Sequence, residues 1–100
     1  MRVIAWNTLV AFYTAHPETQ ASLTRWHAIT KAGNWNSMNE LQMAFSSAVV
    51  LNGERARFEI AGGNYRLIAA YDFRRKIAFV KFIGTHTEYD RVDALTVSQF

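Results

Sequence analysis

The period of the apolar residues changes once along this chain, near Ala48, and that single change limits what it can become. Before Ala48 apolar side chains recur every three or four residues; after it they alternate. Helices therefore come first and strands afterwards. A short strand is expected over Arg2–Ala5, and Trp6, Leu9, Val10 and Tyr13 lie on one face of a first helix. His16-Pro17 interrupts that helix, because proline disfavours a helical residue before it yet suits the first position of a new one. A second helix over residues 17–32 follows, with Leu23, Trp26 and either Ile29 or Thr30 on its buried stripe and Gly33-Asn34 as its stop. Ser37-Met38-Asn39-Glu40 is a capping box opening a third helix that carries Leu41 and Phe45.

Four strands are predicted behind these helices, at Val49–Leu51, Arg55–Ile60, Tyr65–Tyr71 and Ile77–Ile83. Gly62-Gly63-Asn64 supplies the residues of a tight hairpin, and Phe73-Arg74-Arg75-Lys76 reads as the next hairpin tip. Short hairpins make an antiparallel sheet. With the helices segregated to the front, the class is α+β, in one domain over residues 1–100. In Ile77–Ile83 both alternating sets are apolar, Ile77, Phe79 and Ile83 against Ala78, Val80 and Phe82. That suits a central strand covered on both sides, with Lys81 left to find solvent or an anion.

Charge is unevenly spread. The net charge is +3, but residues 55–81 hold Arg55, Arg57, Arg66, Arg74, Arg75, Lys76 and Lys81 against only Glu59 and Asp72. A segregated basic segment points to a polyanion, nucleic acid first, and equally to a solubilising face. Cysteine is absent, which excludes disulfides, thiolate catalysis and cysteine-ligated zinc. The first residues lack the apolar core of a signal peptide, and no apolar run approaches the ~20 residues that span a bilayer. A cytoplasmic protein without membrane attachment is expected.

Chemistry is concentrated in Gly84-Thr85-His86-Thr87-Glu88-Tyr89-Asp90. Thr85 and Glu88 form a second capping box, so a short helix begins near His86, and a helix start presents backbone N–H groups to a phosphate. The plainer reading is a cap beside a surface histidine. Arg66, on the opposite side of the pleat from Tyr65 and Leu67, either clamps a phosphate or pairs internally with Glu59 or Asp72. Tyr89 either stacks on a base or anchors its helix to the sheet. Asp90 either orients His86 or faces solvent. Arg74, Arg75 and Lys76 offer an electrostatic footprint for a nucleic-acid backbone. His16 and His27 are too far apart in sequence to read as metal ligands, and neither a phosphate-binding glycine loop nor a serine elbow occurs. Histidine, arginine, lysine and tyrosine suffice for metal-free RNA transesterification, which needs a base, an acid and cations around the phosphorane.

The order Phe12, His16-Pro17, Leu23, Trp26, Trp35, Leu41, Phe45, then Asn64-Tyr65-Arg66-Leu67, then Gly84-Thr85-His86-Thr87-Glu88-Tyr89-Asp90 resembles the HigB toxin family, relatives of RelE. The resemblance implies a RelE-like fold, with helices on an antiparallel sheet and a short C-terminal helix, and no cofactor. It implies an endoribonuclease that cuts messenger RNA, commonly on the ribosome. The implied partner is a HigA-type helix-turn-helix antitoxin, through which alone the pair would bind operator DNA. By motif match His86, Tyr89 and Asp90 fall on the family's histidine, tyrosine and aspartate and Arg66 on its strand arginine, the expected catalytic residues. The Arg74-Arg75-Lys76 tip falls on a basic hairpin common in the family; with Asn64 and Lys81 it is expected to bind RNA. Ser46 stands where the family usually has proline after the phenylalanine, and Trp6-Asn7 where residues are often basic. Two other readings stay open: a module that blocks RNA or the ribosome without cutting, and a protein-binding patch built from Trp6, Phe12, Trp26 and Trp35.

Overall fold

The helical front folds back onto one face of the strand-rich rear. The computed structural model describes all of residues 1–100. Its elements are β1 (Arg2–Ile4), α1 (Trp6–Ala15), a 3-10 turn (Pro17–Thr19), α2 (Gln20–Ala32), α3 (Met38–Ala44), β2 (Val49–Val50), β3 (Arg55–Ile60), β4 (Tyr65–Asp72), β5 (Ile77–Thr85) and α4 (His86–Tyr89). Pro17 opens the 3-10 turn rather than α2 itself. The Thr19 hydroxyl and amide both donate to the His16 carbonyl and close that turn before α2 begins.

The sheet order is β1-β5-β4-β3-β2. Both expected hairpins form, and β2, β3, β4 and β5 run antiparallel. β1 does not: it lies parallel to β5, with Arg2 opposite Ile77 and Ile4 opposite Phe79, so the sheet is mixed. A tight turn forces antiparallel pairing, but β1 reaches β5 only after the whole helical layer, and nothing local constrains its direction. Both edges are short, two residues in β2 and three in β1.

Leu9, Leu23 and Leu41, one from each of α1, α2 and α3, are wholly buried. They meet Ala56, Phe58 and Ile60 of β3, Leu67, Ala69 and Tyr71 of β4, and Ala78, Val80 and Ile83 of β5. Each buried leucine contributes about 1.5–3 kcal/mol. On α2 the stripe is Leu23, Trp26 and Thr30. Trp26, Phe45, Phe58, Trp35 and Tyr71 meet largely edge to face, the arrangement the ring quadrupole favours. Of the aromatic residues that one open reading placed in a protein-binding patch, Trp26 is buried, and Trp6, Phe12 and Trp35 are partly buried against the core. The large apolar side chains that do face solvent are Met43, Val49, Val50, Leu95 and Phe100.

β5 departs from simple alternation. Ile68 pairs with Phe82 and Ala69 with Val80, which leaves Lys81 as an extra residue in the ladder. The bulge exchanges the expected faces of the next two residues: Ile83 enters the core, and Phe82 joins Phe79 on the far side. The strand is apolar on both sides because its phase changes midway. Lys81 finds its place beside the Phe79 ring, its ammonium 5.4 Å from the centroid.

The far face of the sheet carries no long helix; α4 and the segment after it cover part of it, leaving Ile68, Phe82 and Arg55 buried. It carries Arg55, Arg57 and Glu59 from β3, Arg66, Ile68 and Ala70 from β4, and Phe79, Phe82 and Gly84 from β5.

Trp6 stacks flat on His27, with centroids 3.8 Å apart and planes 5° apart. Desolvation there, followed by the charge of Lys31, lowers the His27 pKa below its ordinary 6.5. The fold thus favours neutral imidazole. The resulting stability is complete above pH 6.5, where the unfolded chain's imidazole is neutral too, and is lost as the pH falls below that value. Urea titrations should show wild type losing more stability between about pH 7 and 5 than His27→Phe, which keeps the stack and cannot titrate. Equal losses would remove His27 from the acid response.

Candidate active site

Three elements converge at the end of the open face where β5 finishes. The first is the turn between β3 and β4. Ala61, Gly62 and Gly63 adopt consecutive positive φ values of 53°, 70° and 94°, a path that glycine makes accessible. The turn is anchored from behind by the Ser22 hydroxyl, which accepts the Ala61 N–H. Ahead of it, the Asn64 carbonyl accepts the His86 N–H at 3.0 Å.

The second element is α4. Thr85 Oγ1 accepts the Glu88 N–H, and the Glu88 carboxylate accepts the Thr85 N–H at 2.8 Å, a complete capping box. That backbone bond first, and the Thr85 hydroxyl second, hold the Glu88 carboxyl below its ordinary 4.5. These bonds and Asn64 take up the helix-start donors of Thr85, His86 and Glu88, so the expected phosphate cradle at this terminus is already occupied by the protein itself. What α4 presents instead is side chains. Asp90 Oδ2 lies 3.2 Å from Nδ1 of His86, one helical turn away, and leaves Nε2 clear of that carboxylate. Both residues are exposed.

The third element is the floor formed by β3 and β4. Arg66 is the central guanidinium, its side chain only 11% exposed, and it donates to Glu59 at 2.9 Å on the neighbouring strand. The internal pairing that the sequence allowed is therefore present, with Glu59 and not with Asp72. Glu59 is half exposed. The Nε atoms of Arg66 and of Arg57 are buried and meet no acceptor within the protein. Arg57 lies with its guanidinium carbon 5.4 Å from the Tyr89 ring centroid, and the same ring meets Phe82 edge to face. Tyr89 is thus an anchor tying α4 to the sheet, placed over an arginine. A Cβ at Gly84 would sit 2.8 Å from Phe82 Cζ and 3.1 Å from the Glu88 carboxylate, so Gly84 lets the ring and the cap close over β5.

Asn64, Arg66, His86, Tyr89 and Asp90 thus come together. Arg74 and Arg75 do not. Their hairpin lies at the other end of β5, nine residues away from α4 and so about 30 Å at ~3.3 Å per residue. Arg74 is exposed, and Arg75 pairs loosely with Asp72 at 3.8 Å. Lys76 is withdrawn from the expected basic tip altogether. Its Nζ donates to the Trp35 carbonyl and to Asn36 Oδ1, both at 2.7 Å, and tethers the α2–α3 connection. Lys81 lies between the two ends. In the sequence Arg57 shows only as one charge of a basic segment, and Glu59 only as a partner for Arg66. The alternation Arg55-Ala56-Arg57-Phe58-Glu59 carried the signal, since period two puts its three charged members on the face that bears Arg66. No three His, Asp or Glu side chains converge as a metal-binding set.

Four helices with a five-stranded mixed sheet make an α+β fold consistent with a RelE-like toxin. The family model described as HigB toxin, the RelE-like toxic component of a toxin-antitoxin system, matches residues 19–92, and the chain belongs to that family. No curated protein matches it. The chain is a toxin component, and its family implies an antitoxin partner. No helix is long and apolar enough to cross a membrane.

The capping box gives a direct test of how α4 is held. Thr85→Ala should cost about 0.5–2 kcal/mol, the usual loss for an N-cap, measured by urea unfolding. A loss below the error of that measurement would mean that α4 is held from elsewhere.

Proposed function

We propose that this toxin is an endoribonuclease acting on messenger RNA at the ribosome, and that a HigA-type antitoxin neutralises it. The observation that carries this reading is the disposition of two proton-handling groups about one arginine. In the strand register Glu59 is opposite Arg66, and Arg66 is opposite Gly84, two residues before His86. Glu59 and Gly84 therefore flank Arg66 on the two neighbouring strands, and the chain reaches His86 two residues beyond Gly84.

Cleavage by transesterification uses this arrangement as follows. The 2′-oxygen of the RNA attacks phosphorus while Glu59 takes its proton. The bond from phosphorus to the 5′-oxygen breaks, and His86 supplies a proton to that oxygen. A 2′,3′-cyclic phosphate and a 5′-hydroxyl result. Arg66 and Arg57 stabilise the added negative charge on phosphorus through their guanidinium charges. Asp90 fixes the His86 ring, and the exposed edge of Tyr89 positions the neighbouring base. Asn64 sets the turn that His86 leans on, and Arg74, Arg75 and Lys81 bind the RNA backbone farther along the face.

Expression of wild type, His86→Ala, Arg66→Ala and Glu59→Gln in bacteria, with mapping of messenger-RNA 5′ ends, tests the reading. Growth arrest with new in-frame 5′ ends is expected from wild type only. Purified His86→Ala and Glu59→Gln should cleave about 10²–10⁴-fold more slowly, the usual worth of a general acid or base. Folded variants that arrest growth as wild type does would refute the site. Arrest by wild type with all messages intact would establish inhibition by occlusion instead.

A further inference from the structure

We propose that residues Asp93–Gln99 form a strap that positions α4, with Arg55 and Gln99 as its two fixing points. The inference rests on the reading of α4 as the carrier of the reacting groups.

A helix of four residues does not hold its own shape, because nucleation costs more than one turn of hydrogen bonds returns. At its start α4 is fixed by the capping box and the Asn64 carbonyl. At its end the chain continues through turns closed by Arg91 N–H to the Glu88 carbonyl and Val92 N–H to the Tyr89 carbonyl. The Asp93 carbonyl then accepts the N–H groups of Thr96 and Val97. This compact turn lies on the open face, where Arg55 holds it: one guanidinium nitrogen donates to the Ala94 carbonyl at 3.2 Å and to the Val97 carbonyl at 2.7 Å.

Arg55 is the one charged residue of the chain that is buried, at 8% exposure. It has no carboxylate partner. A buried guanidinium is costly unless its donors are satisfied, and here main-chain carbonyls of the strap satisfy them. The charge of Arg55, counted from sequence among the basic residues available to RNA, is spent on the chain's own carboxy-terminal segment.

The second fixing point is on the other side of Arg66. The Gln99 N–H donates to the Lys81 carbonyl at 2.8 Å, and Gln99 Oε1 accepts the Ile83 N–H at 2.9 Å. β1 pairs only Ile77–Phe79, so Gln99 serves the part of β5 that β1 does not reach. The strap thus runs from β3 to β5 across β4, the strand bearing Arg66. It fixes α4 relative to the residue that His86 must face. Arg55 and Gln99 act through α4 and are positioning residues.

Gln99 is exposed, so its loss leaves the core intact, and Gln99→Glu retains an acceptor for the Ile83 N–H. Wild type, Gln99→Ala, Gln99→Glu and Arg55→Met are compared by amide hydrogen exchange and by cleavage of a messenger RNA on purified programmed ribosomes. Gln99→Ala and Arg55→Met should speed exchange at Asp90, Arg91 and Val92 by about tenfold or more. They should also lower kcat by up to about 10²-fold, the effect of a small misplacement of reacting groups, with KM little changed. Gln99→Glu should restore both. Unchanged exchange in folded Gln99→Ala and Arg55→Met overturns the proposal, as does faster exchange with kcat unaltered. If wild type cleaves no RNA but Gln99→Ala still loosens α4, the strap stands and the nuclease reading falls.

Discussion

One extra residue in β5 decides which side of the sheet serves which purpose. A strand alternates strictly, so without a bulge Phe82 would point into the helical layer and Ile83 away from it. With Lys81 inserted, Ile83 completes the core that began with Ala78 and Val80, and Phe82 becomes a platform on the open face. Everything after it inherits that phase. Gly84 falls beside Arg66, Thr85 caps α4, and Tyr89 finds Phe82 and Arg57 beneath it.

Most of the framework was legible because it rests on local chemistry. Ser37 and Thr85 both cap helices at the residues their spacing names, but only Thr85 with Glu88 closes a full box, because the Glu40 carboxylate accepts the Asn36 N–H in place of the Ser37 N–H. The two hairpins turn where Gly62-Gly63 and Phe73–Lys76 predict. What escaped was set by tertiary contact. The direction of β1 depends on a layer of helices and not on a turn. The bulge at Lys81 shows in sequence only as a strand apolar on both sides. Lys76 looked like one more charge at a basic tip, yet its backbone, at φ 58°, turns the side chain toward Trp35 and Asn36.

The candidate site was half legible for the same reason. The residues of α4 lie together in sequence, and their motif is compact. The floor is assembled from two strands, and its membership follows from the register of Glu59 against Arg66, which sequence alone leaves open. Charge counting also treated all the arginines of β3 and β4 alike, whereas the fold separates them. Arg55 is buried and satisfied by main-chain carbonyls, Arg66 is shared with one carboxylate, and Arg57 lies against an aromatic ring. Their unequal surroundings, more than the net charge, distinguish a framework cation from those open to a phosphate.

The brevity of the outer strands bears on how such a sheet survives at high concentration. Val49 and Val50 are apolar, partly exposed and uncharged, the composition that invites another chain to add a strand. Two residues offer too little backbone to template a neighbour. On the other side β1 is only three residues long, and Gln99 already occupies backbone groups of β5 beyond it. Protection against edge-to-edge growth therefore comes from length and from self-coverage, without the lysines and prolines that usually guard such edges. Lengthening β2 by a few apolar residues would leave the core untouched and turn the molecule into a seed for its own polymerisation.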